Sequence, residues 1–546
     1  MIEISHLIFF LAPLLIVWNI YWRITRRHML ELADKIPGPK GYPLIGNGLM
    51  ALGSLHEMFK TLDQLSFEYP SVIRIWLGPR LFVSLMDPRD VEIVLSSNIH
   101  IEKATDYKLF EPWFGNGLLI SAGRTWKAHR KLIAPTFHLN ILKGFIDLFN
   151  ANSREVVKKL RQENRKTFDC HDHLSEATVE ILLETVMGVS KKIQGQSGYE
   201  YAMAVMKMCE ILHKRHLKLW LRPDWLFNLT KFREKQNKLL RLIHSLTVKV
   251  VEIKKKALED GIQGSLADVP EDILKKVVSV PDENIIEHPL DGTMMFGQSV
   301  GIKDDLDGDV NVGDKKRYSF LETLIEAAKS GTQLTEEEVR NQVSTIMFEG
   351  HDTTAAASSF FLCLMGAHPD VQEKVHQEMY AIFGNSDRSA TYSDTLEMKY
   401  LERCLLETLR LYPPVPLIAR KINQDVKLAS GNYTVPAGCT VIIATYKLHR
   451  NPDIYTNPDE FNPDNFLPER CIKRHYYSFV PFSAGPRGCV GRKYAILKLK
   501  ILLSTIMRNF VVKSEIPETE YKLQADIILK RQDGFRIRLE PRNVSN

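Results

Sequence analysis

The sequence predicts a mainly α-helical fold with a small β-rich part, preceded by one N-terminal transmembrane helix. Three observations lead there. Residues Ser5 to Trp22 contain no Asp, Glu, Lys or Arg over 18 positions. Segments such as SREVVKKLRQ, KLLRLIHSLTVKVVEIKKKALED and LERCLLETLRLY repeat apolar residues every three or four positions, the helical period. Strand-like alternation is short and gathered in two regions, 72–87 and from KLASGNYTVPAGCTVIIAT to the C-terminus. The organisation that follows is an anchor over residues 1–30, a proline-rich neck over 31–50, and one large body over 51–546.

The anchor is argued from length and charge. Eighteen residues at about 1.5 Å each nearly cross a hydrocarbon core of about 30 Å. Glu3 precedes the run, while Arg23, Arg26, Arg27 and His28 follow it, which places the body on the cytosolic side. A cleaved signal peptide would carry its basic residues on the other side. A buried hydrophobic helix is the competing reading. Next comes IPGPKGYPLIGN, where Pro37, Pro39 and Pro43 cannot continue a helix and give a stiff neck. In the body, residues 285–317 stand apart as an acidic, Gly-rich insertion without period, read as disordered. A net charge of +6 and a sequence pI near 8.7 fall short of a nucleic-acid footprint. The seven scattered cysteines form no CxxC pair, which fits a reducing compartment.

The stretch MFEGHDTTAA puts Glu349 in the middle of a helix that Thr335 and Glu338 start as a capping box and that Gly366 and Pro369 stop. At about 100° per residue, Asp352 and Thr353 share a side with Glu349 and His351 points nearly opposite. Thr353 can bond the Glu349 carbonyl, and Gly350 weakens the turn, so local distortion is expected. The face offers two carboxylates and a hydroxyl; a satisfied polar core cluster is the alternative.

Near the C-terminus, FVPFSAGPRGCVGRKYA places Cys489 among three glycines, beside Arg487 and just before a helical pattern. A cysteine there is biased toward thiolate, the metal-binding form. Phe482, Gly485, Arg487, Cys489 and Gly491 reproduce the FxxGxRxCxG signature, and the chain resembles the cytochromes P-450 along nearly its whole length. The resemblance implies the cytochrome P-450 fold and haem b, with Cys489 as axial iron ligand. Glu407 and Arg410 match the ExxR pair, structural support for the cysteine loop. In the PxRF element Asn465 replaces arginine, which puts the usual three-way ion network in doubt. Trp126 and Arg130, with Arg420 and Arg487, resemble haem-propionate contacts, and Phe482 joins them as a cofactor contact. EGHDTT aligns with the oxygen-activation motif, Asp352 and Thr353 holding its acid–alcohol positions.

What the resemblance implies in function is monooxygenation. A thiolate ligand favours O–O cleavage, while Thr353 and Asp352 would order water and relay protons. No flavin or nicotinamide fingerprint is present, so electrons from NADPH would come through NADPH-cytochrome reductase, with cytochrome b5 a further donor. Arg470, Lys473, Arg474, Arg492 and Lys493 could dock its acidic face, with a plain solvated basic surface the competing reading for each. FEGHDTT resembles family four, in which Glu349 is implied to form an ester with a haem methyl group; a protonated, hydrogen-bonded glutamate is the alternative. The segments LERCLLETLRLYPPVPLIAR and KLQADIILK, with the acidic insertion, look like subfamily G, an insect group associated with cuticular hydrocarbon synthesis. Its implied reaction is oxidative decarbonylation of long-chain fatty aldehydes at the endoplasmic reticulum membrane. A fatty-acid ω-hydroxylase and a non-catalytic haem-binding protein are the other readings. Residues 103–121 and Pro414 to Ile418, largely apolar, are expected near a lipid substrate.

Overall fold

The computed structural model describes residues 4–51, 53, 55–190, 198–260, 294–299, 302, 319–329 and 334–542. Helices dominate. They include α1 (Ile4–Thr25), α2 (Gly123–Ile133), α3 (Ile146–Arg161), α4 (Cys170–Thr185), α5 (Gly198–Leu217), α6 (Lys231–Glu259), α7 (Glu336–Ala367), α8 (Lys399–Leu411) and α9 (Arg492–Asn509). The strands are β1 (Val72–Leu77), β2 (Arg80–Leu85), β3 (Thr167–Asp169), β4 (Met294–Met295), β5 (Gln298–Ser299), β6 (Ile418–Lys421), β7 (Val426–Lys427), β8 (Thr434–Val435), β9 (Thr440–Ile443), β10 (Phe510–Ser514), β11 (Leu523–Asp526), β12 (Ile528–Arg531) and β13 (Arg536–Pro541).

The largest sheet runs β1-β2-β9-β6, with β2 parallel to β9 and the outer pairs antiparallel. It joins the two regions where strand signals gathered. A second sheet, β10-β13-β3, ties the C-terminus to the start of α4. The main core packs around α7, which is enclosed by α4, α6 and α9 and has Phe360 and Phe361 fully buried. Each such side chain contributes about 1.5–3 kcal/mol by leaving water. Phe360 also stacks on Tyr412 with ring centroids 4.5 Å apart. A smaller core beneath the main sheet holds Val83, Leu85, Val441 and Ile443.

The long helix is bounded as its sequence predicts. Thr335 caps it by accepting from the Glu338 amide at 3.2 Å, while the Glu338 carboxylate accepts from the Thr335 amide at 2.8 Å. Its 32 residues span about 48 Å. The distortion expected at Gly350 is not found: α7 is helical throughout. A Cβ at Gly350 would lie 2.8 Å from the Leu182 side chain, so this glycine serves close packing against α4.

The single membrane-spanning helix is met only in part. Residues Ile4–Thr25 are helical, with Pro13 inside, and side chains are described from Pro13 onward. Among the described residues no single helix is long and apolar enough to cross a membrane. One bent pair, Gly123–Phe137 with Leu139–Arg161, passes by length and composition, at 48°; its apolar side chains belong to the main core. Most of the insertion at 285–317 lies outside the described residues. Residues 294–299, read as disordered, instead form the hairpin β4–β5, and Ile302 is buried in the smaller core.

Candidate functional site

A cavity of about 540 Å³ lies between α7 and the cysteine loop, in the usual range for a small-molecule site. Its lining is largely apolar and includes Phe110, Leu118, Val415 and Ile418, from the two segments expected near substrate. Cys489 faces it from one side; Glu349, Thr353 and Thr354 face it from α7.

The cysteine loop is built from backbone constraints. The Cys489 amide donates to the Phe482 carbonyl at 2.9 Å, and Gly485 sits at φ +66° where a Cβ would be 2.0 Å from the Leu95 carbonyl oxygen. Only glycine fits there. The thiol is open to the cavity. Burial, then the charge of Glu349, push it up to about 11, against weaker pulls from the Gly491 amide, Arg130 and Arg492. The thiolate bias expected from the helix start and arginine is therefore outweighed, and a coordinated cation is what deprotonates a thiol in such a place.

Basic groups gather beside the cavity. Arg130 donates to the Gly488 carbonyl at 2.7 Å, and Arg487 donates to the carbonyls of Ile101 at 2.9 Å and Ser121 at 2.6 Å while lying 4.2 Å over Trp126. Arg420 is 1% exposed, and among the described residues its guanidinium donates only to its own strand at Ala419 and leaves Nη2 without a partner. Burial and the neighbouring Arg420 and Arg130 push Arg487 down to about 9. Lys103 lies 4.8 Å over Tyr107 and is held well below its ordinary value by burial, then by Arg420 and Arg487. These mutually repelling cations, one of them with an orphaned buried donor, suit a ligand with carboxylates. With Cys489 opposite an apolar wall, the residues present fit haem b, whose propionates would meet Arg420, Arg487, Arg130 and Lys103. Lys103 and Tyr107 fell in a segment read as apolar; the bridge between Lys103 and Arg420, 317 positions later, has no local signal.

The polar residues of α7 divide between two faces. Glu349 opens on the cavity, where burial pushes its carboxyl up to about 7 against the pull of Lys103 and Arg130. Thr353 also lines the cavity and donates to the Glu349 carbonyl at 2.6 Å. Asp352 does not share that face. It is fully buried and paired with Lys530 of β12 at 2.8 Å. Burial opposes its charge, but Lys530, His351 and His171 hold it below the ordinary carboxylate range. Its stabilising contribution is therefore present above the unfolded carboxylate pKa and lost as pH falls through the folded one.

Glu407 and Arg410 are fully buried and paired at 2.7 Å. Arg410 also donates to the carbonyls of His449, Pro458 and Glu460. Asn465 supplies the donor that an arginine would: its amide donates to Glu407 at 3.0 Å, beside the Asn462 amide at 2.8 Å. The network thus keeps three members with one charge fewer. Of the residues read as a docking patch, Arg492 and Lys493 are buried, at 1% and 5% exposure. Arg492 donates to the Met295 carbonyl at 2.6 Å, and Lys493 lies 6.0 Å from the Phe296 ring. The hairpin also brings Gly297 against Phe482 at the cavity wall. Arg470 and Lys473 remain exposed.

The cytochrome P450 family profile matches residues 36–538. Cytochrome P450 4g15 of Drosophila melanogaster is 57% identical over 98% of this chain and 96% of its own length. Cytochrome P450 4g1 of the same organism is 49% identical over 96% of this chain and 92% of its own. The solved cytochrome P450DA heme domain superposes with a TM-score of 0.71 at 19% identity, covering 93% of this chain and 98% of that one, a likeness of fold.

Proposed function

The chain belongs to the cytochrome P450 family, to subfamily G of its family four, and from that premise we propose that it is the decarbonylating member of a hydrocarbon pathway, converting long-chain fatty aldehydes to hydrocarbons one carbon shorter. Membership makes it a haem-thiolate monooxygenase served by a redox-partner reductase. When bound, the haem supplies dioxygen activation, with the thiolate favouring O–O cleavage. The chain's own residues do the rest. Apolar side chains such as Phe110, Leu118 and Val415 exclude water and accept an aliphatic chain. Thr353, next to Glu349 on the cavity wall, is placed to order water and pass protons. Asp352, fully buried and paired with Lys530, does not reach that wall.

The observation that carries the lipid reading is the cavity itself, apolar from Met58 and Leu62 through Val415 to Cys489. A fatty-acid ω-hydroxylase would use the same wall, so product analysis decides. Full-length protein, reconstituted with reductase and NADPH, is expected to convert a long-chain aldehyde to the alkane one carbon shorter, read by gas chromatography. Hydroxylated acid without alkane would sink the proposal. The helix Ile4–Thr25 is proposed as a single anchor in the endoplasmic reticulum membrane, with the body cytosolic.

Glu349 is proposed as the site of a haem ester. Burial raises this carboxyl to about 7, and facing the cavity it needs no counter-ion once esterified; it would supply the ester oxygen as nucleophile, while the methyl carbon would lose a proton and two electrons to the oxidant the bound haem would generate from dioxygen. Acid extraction is expected to leave haem on the wild type and to release it from Glu349→Ala; quantitative release from the wild type rules the ester out.

A further inference from the structure

Helix α9 begins just after the cysteine loop and passes beneath the centre of α7. There Lys498, with no exposed surface, donates from Nζ to the Gly350 carbonyl at 2.8 Å and to the Thr354 hydroxyl at 2.8 Å. The single proton of the Thr354 hydroxyl is shared between the carbonyls of Gly350 at 2.9 Å and His351 at 3.1 Å. It is therefore an acceptor only toward Lys498. One position earlier, Thr353 binds the Glu349 carbonyl. The Tyr494 ring lies 5.1 Å from Nζ, and among the described residues no carboxylate pairs with the lysine.

A buried ammonium without a counter-ion is disfavoured, and an apolar side chain of similar volume would avoid that cost. Burial alone pushes Lys498 down to about 7. What the lysine gives in return is local: two donors fixed on one turn of α7. That turn carries Glu349, Gly350, Thr353 and Thr354, all of which line the cavity.

We propose that Lys498 is a positioning residue for oxygen activation, fixing through Gly350 and Thr354 the turn of α7 that presents Glu349 and Thr353 to the cavity. It ties the α7 side of the cavity to the helix that leaves the cysteine loop, so the two sides keep one separation. The proposal rests on the monooxygenase assignment and is independent of which lipid is the substrate.

The test uses full-length, haem-loaded protein with reductase and NADPH. Lys498→Met is expected to keep the carbon-monoxide spectrum of a thiolate-ligated haem. It should release about tenfold more peroxide per NADPH consumed, the equivalent of one hydrogen bond. Amide hydrogen exchange over residues 350–354 should quicken in the same variant. Lys498→Arg, which retains donors, should bring both readings back toward wild type. An unchanged peroxide ratio in Lys498→Met, or a leak that Lys498→Arg does not reduce, overturns the proposal. Should Lys498→Met fail to accumulate, Thr354→Val and Thr354→Ser decide: the variant without a hydroxyl should leak more, and equal ratios overturn it. Because peroxide is counted whatever the product, failure of the aldehyde assay leaves this test intact.

Discussion

Glu407→Ala is expected to leave almost no haem-loaded protein. The substitution strands Arg410, fully buried, with only carbonyl acceptors at His449, Pro458 and Glu460. Breaking a buried pair from one side costs about 3–5 kcal/mol, against a typical net stability of about 5–15 kcal/mol. The same change removes the acceptor used by Asn465 and the Asn462 amide, so the loss extends to the segment packed on α8. The measurement is the yield of protein showing the thiolate carbon-monoxide band, together with the denaturant midpoint. A variant that accumulates with a wild-type midpoint contradicts the argument.

Cys489→Ala carries the other large effect, with the opposite signature. The Cys489 side chain faces the cavity, and the loop is held by the backbone bond to Phe482 and the close approach at Gly485. Folding should therefore survive. Turnover should fall on the order of a thousandfold or more, about 4 kcal/mol of barrier, and the thiolate carbon-monoxide band should vanish. Circular dichroism close to wild type with no product is the expected pair of results. Retained NADPH-dependent product formation would remove Cys489 from its assigned place.

These two variants separate what the sequence made legible from what it did not. Glu407 with Arg410 is a local pattern, two residues three positions apart on one helix, and the structure holds the pair as the sequence suggested. The Cys489 loop shows its glycines in the sequence, but the groups packed on it come from far away, and burial outweighs the expected thiolate bias. The ends of α7 were as legible as the Glu407–Arg410 pair, since a capping box and a following proline act within one turn. Asp352 was placed on the wrong face because its partner, Lys530, is 178 positions away. No helical wheel contains that contact. Arg492 and Lys493 resembled a basic surface until the hairpin at Met294 to Ser299 was found against them. Asn465 looked like a missing charge, whereas an amide suffices when a second donor, the Asn462 amide, shares the same carboxylate oxygen. Lys498 was hidden in an amphipathic pattern that gives no sign of which lysine turns inward.

The hairpin β4–β5 has a further consequence for how this chain can be cut and recombined. Met295 holds Arg492, and Gly297 abuts Phe482, so a segment nearly two hundred residues upstream forms part of the bed on which the cysteine loop lies. The loop is therefore not a portable cassette. A chimera that imports the C-terminal third of this chain without its own hairpin over 294–299 would inherit the cysteine but lose part of the scaffold that fixes where it points.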